Sequence, residues 1–247
     1  MPSFASPRFA GDPLLEDILN DPDTGTLKLQ PGSPPDSVIR LQQALFDLCW
    51  TERIDTPVTD PAQFVIGIYG PLTQKTVVAY KTRYGIHFPP DAPTGLVDGL
   101  AGPRTFQQLD RHCVMYDEAD AVIAAKARQV TAATGREYAF RTRPVLDTNG
   151  AVRLQSGGGD PTSPSRISAR PGLGAFLVAD DFFKAYQKQG EEAGPLGFPV
   201  ADAREDGGPG IFLQQFEHGS LRINNGNVSV RLDGVPPGPF VELGPGF

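Results

Sequence analysis

Two residue patterns in this chain could support covalent chemistry, and the first is a thiol next to an imidazole. His112 and Cys113 are neighbours in the sequence. A nucleophile and its base must face each other, whereas adjacent residues on a helix point in different directions. The pair therefore does not predict a catalytic dyad. Besides Cys113 the chain has only Cys49, and the two are either a disulfide pair or two buried thiols.

Paired carboxylates are the second pattern. Glycoside hydrolysis needs two acids that face each other across a cleft of about 5 to 10 Å. The acids in this chain are instead direct neighbours at predicted helix ends and turns, at Asp180-Asp181, Glu191-Glu192 and Glu205-Asp206. Such neighbours normally form a solvated face, so they do not predict a glycosidase.

Metal and nucleotide chemistry have equally little support. The three histidines lie in separate segments, without i, i+4 spacing to another metal ligand, at His87, His112 and His218. Signatures of zinc peptidases, serine hydrolases and P-loop nucleotidases are absent from the sequence. We therefore expect a protein that is not an enzyme, with no catalytic residues, no metal and no cofactor.

Ligand binding is better supported, because sugars and peptides are held by aromatic faces and planar donors around a shallow groove. Side chains of this kind cluster near two similar turns, and the candidate ligand-binding residues are Tyr69, Thr73, Tyr80, Tyr84, Arg104 and Thr105. Tyr69 precedes a helix start, where free N–H groups could receive a carboxylate. The alternative is that Tyr80 and Tyr84 belong to the core and that Tyr69 covers it.

Three short helices are predicted to position these residues. Asp36 is a candidate N-cap, and apolar residues follow it on one helix face, at Val38, Leu41, Leu45 and Leu48. The second and third helices begin with the same pattern, G-x-x-G-P-x-T, at 67–73 and 99–105. Glycine permits a turn with positive φ, proline suits the first helical position, and threonine can satisfy a first-turn N–H. A repeated helix-start device would explain the pattern without any ligand.

The rest of the chain predicts one more helix and then mixed structure. An Ala-rich helix at 117–134 is expected to connect two halves. The stretch 156–172, rich in Gly, Pro and Ser, is typical of a mobile linker or a long surface loop. A helix is predicted at about 174–189. Strands are expected at 138–142, 151–154, 211–216, 220–223 and 227–232, with turns at Asn149-Gly150 and Asn225-Gly226.

Residues 36–110 resemble the three-helix peptidoglycan-binding domain that accompanies many bacterial wall hydrolases. The resemblance rests on Val38-x-x-Leu41-Gln42-x-x-Leu45, on both glycine-proline-threonine turns, and on Asp98-Gly99 before the second of them. Tyr80-Lys81 stands where the family usually has Phe-Gln, and Ile66-Gly67 where its first turn usually has Asp-Gly. The resemblance implies association with the bacterial cell wall.

Residues 174–231 resemble an LGFP repeat, a short unit of wall-associated proteins. The resemblance rests on Gly194-Pro195-Leu196-Gly197-Phe198-Pro199 and on Phe216-x-x-Gly219-Ser220. One copy is visible, so its apolar side would have to be buried on another segment, for which 136–155 is the candidate. Together the two resemblances predict an α+β protein with five parts: a leader (1–35), a helical domain (36–112), a connecting helix (117–135), an LGFP-type domain (136–233) and a tail (234–247).

The composition of the chain limits the classes of partner that it could bind. The chain has 247 residues, a net charge of −7, 28 glycines and 25 prolines, against a usual glycine and proline share of about 12%. It has no basic stripe, no run of about 18 apolar residues, and no signal-peptide pattern in residues 1–20. We therefore expect no nucleic acid or membrane partner.

The function expected from the sequence is non-catalytic binding to peptidoglycan, through its glycan or its stem peptide, in the cell wall or outside the cell. The alternative is a structural or cargo component of a secreted or phage-like particle, in which the same fold docks onto protein. The absence of a signal-peptide pattern favours that alternative. A third, less supported hypothesis is a wall-cleaving enzyme with a site within 117–172.

Overall fold

The computed structural model describes residues 3–22, 26–88, 95–135, 141–146, 152–158, 164–234 and 238–243. The described residues form six α-helices and two antiparallel sheets, so the chain is α+β, as the sequence predicted. The chain divides into two compact units, Met1–Tyr116 and Asp117–Phe247. The first unit is helical, and the second contains both sheets.

Proline starts each of the first five helices. These are α1 (Pro13–Asn20), α2 (Pro35–Asp47), α3 (Pro61–Phe64), α4 (Pro71–Arg83) and α5 (Pro103–Thr134). The N–H that proline lacks would have no intrahelical partner at this position, and its fixed φ already suits the helix. Helix α2 begins at Pro35 with Pro34 at its N-cap. Asp36 therefore lies in the first turn, and the prediction that it is the N-cap is wrong.

The three predicted helices of the first unit pack through the faces that the sequence indicated. The fully buried side chains of this core include Val38, Leu41, Leu45, Val77, Tyr80, Phe106 and Leu109. Helix α4 ends at Arg83 with Tyr84 as its C-cap, and Gly85 follows with a φ of +62°, as expected of a residue just past a helix end.

Residues 1–35, interpreted from the sequence as a leader, belong to the first unit. Phe4 and Phe9 pack against Phe106 of α5, with ring centroids 6.1 and 5.5 Å away. Further along, Leu29 pairs with Ala101 through two backbone hydrogen bonds of 2.9 and 3.1 Å. This segment is therefore a structural part of the helical unit.

Helix α5 is continuous, whereas the sequence analysis assigned the third helix to the domain at 36–112 and a separate connecting helix to 117–135. It runs without interruption from Pro103 to Thr134 and so crosses the boundary between the units at Tyr116. Nothing in 113–116 breaks a helix, since the segment Cys113-Val114-Met115-Tyr116 contains neither glycine nor proline.

The first sheet of the second unit is an antiparallel meander in the order β1-β2-β3-β4. Its strands are β1 (Arg141–Leu146), β2 (Val152–Gly158), β3 (Ser165–Arg170) and β4 (Gly174–Ala179). The predicted linker at 156–172 is wrong for its described residues, because β2 extends into it and β3 occupies 165–170. Ile167, Ser168 and Ala169 of β3 are all fully buried, so both faces of this strand are covered. The predicted turn at Asn149-Gly150 lies outside the described residues.

The helix predicted at 174–189 is also partly wrong. Residues 174–179 form strand β4, and helix α6 runs only from Asp180 to Lys188. Asp180 has a φ of +52°, and this left-handed residue marks the change of direction from strand to helix. Phe183 and Tyr186 of α6 are buried.

The second sheet confirms the predicted C-terminal strands. Its order is β5-β6-β7-β8-β9, with strands β5 (Arg204–Glu205), β6 (Ile211–Phe216), β7 (Gly219–Asn224), β8 (Asn227–Leu232) and β9 (Val241–Glu242). Asn225 and Gly226 both have positive φ, 47° and 86°, which is the geometry of a type I′ hairpin turn. Strand β9 lies in the segment interpreted as a tail, so part of that segment belongs to the sheet.

The hexapeptide Gly194–Pro199 forms a tight turn that packs against the hairpin between β6 and β7. Leu196 and Phe198 are fully buried, and the carbonyls of both accept hydrogen bonds from the backbone of the hairpin turn, at 3.0 and 2.9 Å. A Cβ on Gly194 would lie 1.7 Å from the carbonyl oxygen of Gln189. The hexapeptide is thus explained by packing against α6 and the hairpin.

Candidate functional site

The first glycine-proline-threonine turn is held by one buried amide side chain, that of Gln42 on α2. Its Oε1 accepts hydrogen bonds from the backbone N–H groups of Ile66 and Gly67, at 3.1 and 2.9 Å. Its Nε2 donates to the carbonyl of Ile68 at 3.0 Å and to the hydroxyl of Thr73 at 2.9 Å. The neutral amide of Gln42 therefore supplies both the donor and the acceptor groups that hold this turn.

The second turn is held by an ion pair in the equivalent place. Lys81 of α4 donates through Nζ to the carbonyl of Leu100 at 3.3 Å, as Gln42 does to Ile68. The same Nζ pairs with Asp98, whose Oδ1 also accepts the N–H of Leu100 at 3.2 Å. The donor and acceptor that one amide combines in the first turn are thus divided between Lys81 and Asp98 in the second.

The glycines of the two turns have different reasons to be glycine. Only Gly67, with a φ of +75°, uses the positive φ that the sequence suggested for the pattern. Gly99 lies against α4, where a Cβ would come within 2.8 Å of the Cβ of Gln74. Gly70 and Gly102 have open space around them and no positive φ. The threonine of the first turn bonds Gln42, not the first-turn N–H that was expected.

Most of the candidate ligand-binding residues are buried. Tyr69, Thr73, Tyr80 and Thr105 have almost no exposed surface, whereas Tyr84 and Arg104 are half-buried. The hydroxyl of Tyr69 donates to the carbonyl of Gly99 at 2.8 Å and so joins the two turns. Burial, with the negative charge of Asp98 as a smaller cause, raises the pKa of Tyr69 above its usual range.

Tyr80 and Tyr84 belong to an aromatic cluster in the core. Trp50 makes an edge contact with Tyr80 at 5.1 Å, and Tyr84 lies 4.6 Å from the ring of His112. The hydroxyl of Tyr80 hydrogen-bonds Nδ1 of His112 at 3.0 Å. Burial raises the pKa of Tyr80 and lowers that of His112 to about 4, so His112 is neutral at neutral pH. The alternative interpretation, in which these two tyrosines belong to the core, therefore agrees with the structure: Tyr80 is buried and Tyr84 is half-buried in this cluster.

Two of the candidates, Arg104 and Thr105, line an open cleft beside the second turn. The cleft has a volume of about 140 Å³ and lies at the N-terminus of α5. The guanidinium of Arg104 donates to the carbonyl of His87 at 3.0 Å, which holds the segment 86–88 as one wall. The remaining lining residues include Leu27, Lys28, Lys81, Ile86, Phe88 and Asp98.

This cleft is cationic although the chain as a whole is acidic. Lys28, Lys81 and Arg104 line it with three positive charges, and Asp98 contributes one negative charge. The N-terminus of the 32-residue helix α5 adds the positive end of its dipole. The exposed apolar side chains of Leu27 and Phe88 also line it. The cleft thus suits an anion that carries small apolar groups.

Lys28, His87 and Lys81 were not selected from the sequence. Lys28 reaches the cleft because Leu29 pairs with Ala101, a long-range contact without a local signal. Lys81 could have been found, since it stands where the resembling family has glutamine, and a charged residue in a core helix needs a partner.

The described part of the chain contains no group of three or more His, Cys, Asp or Glu residues that could hold a metal ion. Cys49 and Cys113 do not form a disulfide, and Cys113 is buried whereas Cys49 is half-buried. Of the helices described, none is long and apolar enough to span a membrane. A scan against protein-family models and a search of curated proteins each found no match to this chain.

Proposed function

We propose that the first unit binds bacterial peptidoglycan without cleaving it, through the cleft at the second turn. The observation that carries the proposal is a cationic cleft on a chain with a net charge of −7. Peptidoglycan offers matching chemistry, since its stem peptides carry carboxylates next to small methyl side chains. The resemblance of 36–110 to a wall-binding domain agrees with this ligand.

The carboxylate would lie at the N-terminus of α5, next to Arg104. Backbone N–H groups at a helix start and a guanidinium fork are both suited to a carboxylate. Leu27 and Phe88 would contact the methyl groups of the peptide. Neutral glycan would bring no negative charge to a cleft whose lining carries three positive charges and one negative charge, so the stem peptide is the better occupant.

The residues buried beneath the cleft would give it a fixed shape. Lys81 and Asp98 hold the turn that carries Gly102, and Tyr69 links this turn to the first one. A site whose supporting side chains are already ordered loses less entropy when it binds. In this proposal Tyr69, Thr73 and Tyr80 position the site and do not touch the ligand.

Co-sedimentation of the full chain with purified sacculi tests the proposal. Arg104→Gln keeps a donor for His87 but removes the charge, and it should weaken binding about three- to tenfold. Lys75→Gln, an exposed change on α4 outside this cleft, is the matched control and should bind like the parent protein. Failure of the parent protein to sediment with sacculi at low salt would refute the proposal.

A second candidate function, protein docking within a secreted or phage-like particle, is favoured by one apolar patch. Ile66 and Ile68 flank the first turn with 52% and 65% of their surfaces exposed, and Ile39 lies beside them. Exposed aliphatic groups in one place are typical of protein contacts. Cross-linking to a protein partner that Ile68→Ser abolishes, in a chain that ignores sacculi, would favour this function over wall binding.

A further inference from the structure

Thr105 of the second turn corresponds to Thr73 of the first, but its hydroxyl has different surroundings. The hydroxyl of Thr73 accepts a hydrogen bond from Nε2 of Gln42 at 2.9 Å. In the second turn Lys81 and Asp98 take the place of that amide, and Lys81 donates to Asp98 and to a backbone carbonyl. No hydrogen bond joins either of these two described side chains to Thr105. The exchange of glutamine for an ion pair therefore leaves the Thr105 hydroxyl outside the network of its turn.

Thr105 is a buried polar residue that lines the cleft beside the second turn. It is only 1% exposed. Among the residues that the structure describes, none donates a hydrogen bond to its hydroxyl or accepts one from it. Buried polar groups in folded proteins are nearly always hydrogen-bonded, so this hydroxyl indicates that the cleft receives a polar group.

The backbone of Thr105 offers a second donor. Helix α5 begins at Pro103, and the N–H of Phe106 bonds the carbonyl of Gly102 at 3.1 Å. The N–H of Thr105 precedes this first intrahelical bond and therefore has no acceptor within the helix. One residue thus presents an N–H and an O–H, and the positive end of the helix dipole favours a negative charge next to them.

Lys81 provides a further donor in the same cleft. An ammonium group has three N–H donors, and Lys81 uses one for Asp98 and one for the carbonyl of Leu100. Within the described part of the chain the third has no acceptor. A backbone N–H and an ammonium have no lone pair to offer, so together they fit a group that only accepts hydrogen bonds, such as a carboxylate.

The cleft has room for only a small group. Its volume of about 140 Å³ is below the range of about 300 to 1,000 Å³ that small-molecule pockets commonly have. Leu27 and Phe88 add exposed apolar surface beside the donors. A carboxylate and a methyl group on one carbon, as at the end of a peptide whose last residue is alanine, match these features in the least space.

We propose that the cleft binds the last residue of a stem peptide, an alanine with a free carboxylate, and that Thr105 determines this specificity. One carboxylate oxygen would accept from the N–H and O–H of Thr105, and the other from Lys81. A terminal amide would turn its NH₂ group toward donors, and an internal peptide bond would offer one neutral oxygen in place of two charged ones. This inference rests on the proposed function, since it names the part of the stem peptide that enters the cleft.

An NMR titration of the full chain with Nα-acetyl-D-alanyl-D-alanine and with its C-terminal amide tests the inference. The free acid should shift the amide signals of Thr105 and Phe106 and should bind about tenfold more tightly than the amide, because hydrogen bonds to charged groups are stronger. The L-alanyl-L-alanine acid stands for a protein C-terminus. Equal binding of acid and amide, or binding of the L form without the D form, would overturn the inference.

One variant tests the role of the hydroxyl. Thr105→Val removes it but keeps the shape of the buried side chain, so it should weaken binding of the acid about three- to tenfold and leave the amide nearly unchanged. Thr82→Val is the matched control, because Thr82 is exposed on α4 and does not line the cleft. Unchanged binding of the acid in Thr105→Val would refute the role of Thr105. The comparison of acid with amide needs only the parent protein, so it remains decisive if the variant does not fold.

Sedimentation with sacculi separates a failure of this inference from a failure of the proposed function. A parent protein that sediments with sacculi but binds acid and amide equally would refute this inference alone. A parent protein that does not sediment would refute the proposed function.

Discussion

At the scale of single residues, the side chain with the most consequences for the first unit is Gln42. It makes four hydrogen bonds to the first turn and is 1% exposed. Gln42→Leu keeps a similar volume but leaves buried N–H and carbonyl groups without partners. Since each such group costs about 1 to 3 kcal/mol, we expect the free energy of unfolding to fall by about 3 kcal/mol, measured by urea denaturation.

The neighbouring residue provides the control for this change. Gln43 is exposed, and within the described residues its side chain bonds Asp47 on its own helix. Gln43→Leu should change the free energy of unfolding by less than about 0.5 kcal/mol. If Gln42→Leu were equally mild, the amide would not be what holds the turn.

His112 gives the first unit a defined response to pH. Its pKa falls from 6.5 to about 4 in the folded protein, mainly because burial disfavours the charged imidazole. Unfolding then takes up a proton at any pH between these values, so stability is complete above pH 6.5 and is lost as the pH falls toward 4. Between about pH 7.5 and pH 5 the loss from this group should be about 2 kcal/mol.

His112→Gln removes this response, because glutamine does not titrate. The variant is expected to be less stable at neutral pH but to lose about 2 kcal/mol less than the parent on acidification, as measured by urea denaturation at both pH values. His218→Gln, a change at an exposed histidine of the second unit, should keep the parent response. A parent and a His112→Gln variant with parallel pH profiles would contradict the assignment.

The sequence located the candidate residues but did not distinguish residues that would contact a ligand from residues that support the fold. Spacing placed Tyr69, Tyr80 and Arg104 near the two turns, and Tyr69 and Arg104 do lie there, whereas Tyr80 lies in the aromatic cluster of the core. A tyrosine can pack in a core or face a ligand with the same spacing, so only the fold shows that Tyr80 is buried against His112. Lys28 escaped detection because it reaches the cleft through the long-range pairing of Leu29 with Ala101.

At the scale of elements, the two glycines of the second turn make a matched experiment. Gly99→Ala places a Cβ 2.8 Å from Cβ and 3.2 Å from the backbone of Gln74, so the turn and α4 must separate. We expect a loss of about 1 to 3 kcal/mol in thermal or urea unfolding, as for other overpacked sites. Gly102→Ala meets nothing within 4 Å and has no positive φ, so it should be nearly neutral. Equal effects of the two substitutions would contradict a role for close packing at Gly99.

Element prediction succeeded where a local signal and the tertiary contacts agree. Prolines marked the starts of α4 and α5, and Asn225-Gly226 marked the hairpin of β7 and β8. It failed at 174–179, which the sequence analysis assigned to the predicted helix at 174–189. Pairing with β3 makes this segment a strand, and that pairing depends on residues outside the window that defines the spacing.

At the scale of the whole molecule, the sequence predicted two structural halves but drew the first one too short. The described residues of 1–35 are rich in proline, glycine and aspartate, which is typical of a leader. The few apolar side chains among them give no clear pattern from which a core segment could be predicted. Those few are nevertheless core residues, because Phe4, Phe9, Leu15, Ile18 and Leu19 are all buried. The N–H groups of Ala5 and Ser6 also bond Asp110 of α5, at 3.0 and 2.8 Å.

Two fragments test how much of the chain the first unit needs. A fragment of residues 1–116 ends at the boundary of the compact unit and keeps Phe106, Leu109 and Cys113 on the truncated α5. A fragment of residues 30–116 keeps every resemblance to a wall-binding domain but lacks the five buried side chains of the N-terminal segment. Burying one large apolar side chain contributes about 1.5 to 3 kcal/mol, and a whole domain is stable by only about 5 to 15 kcal/mol. The longer fragment should therefore unfold cooperatively by circular dichroism, and the shorter one should show no cooperative transition. If 30–116 melted at the same temperature as 1–116, the N-terminal segment would be a leader after all, and its contacts with α5 would contribute nothing to the fold that holds the cleft.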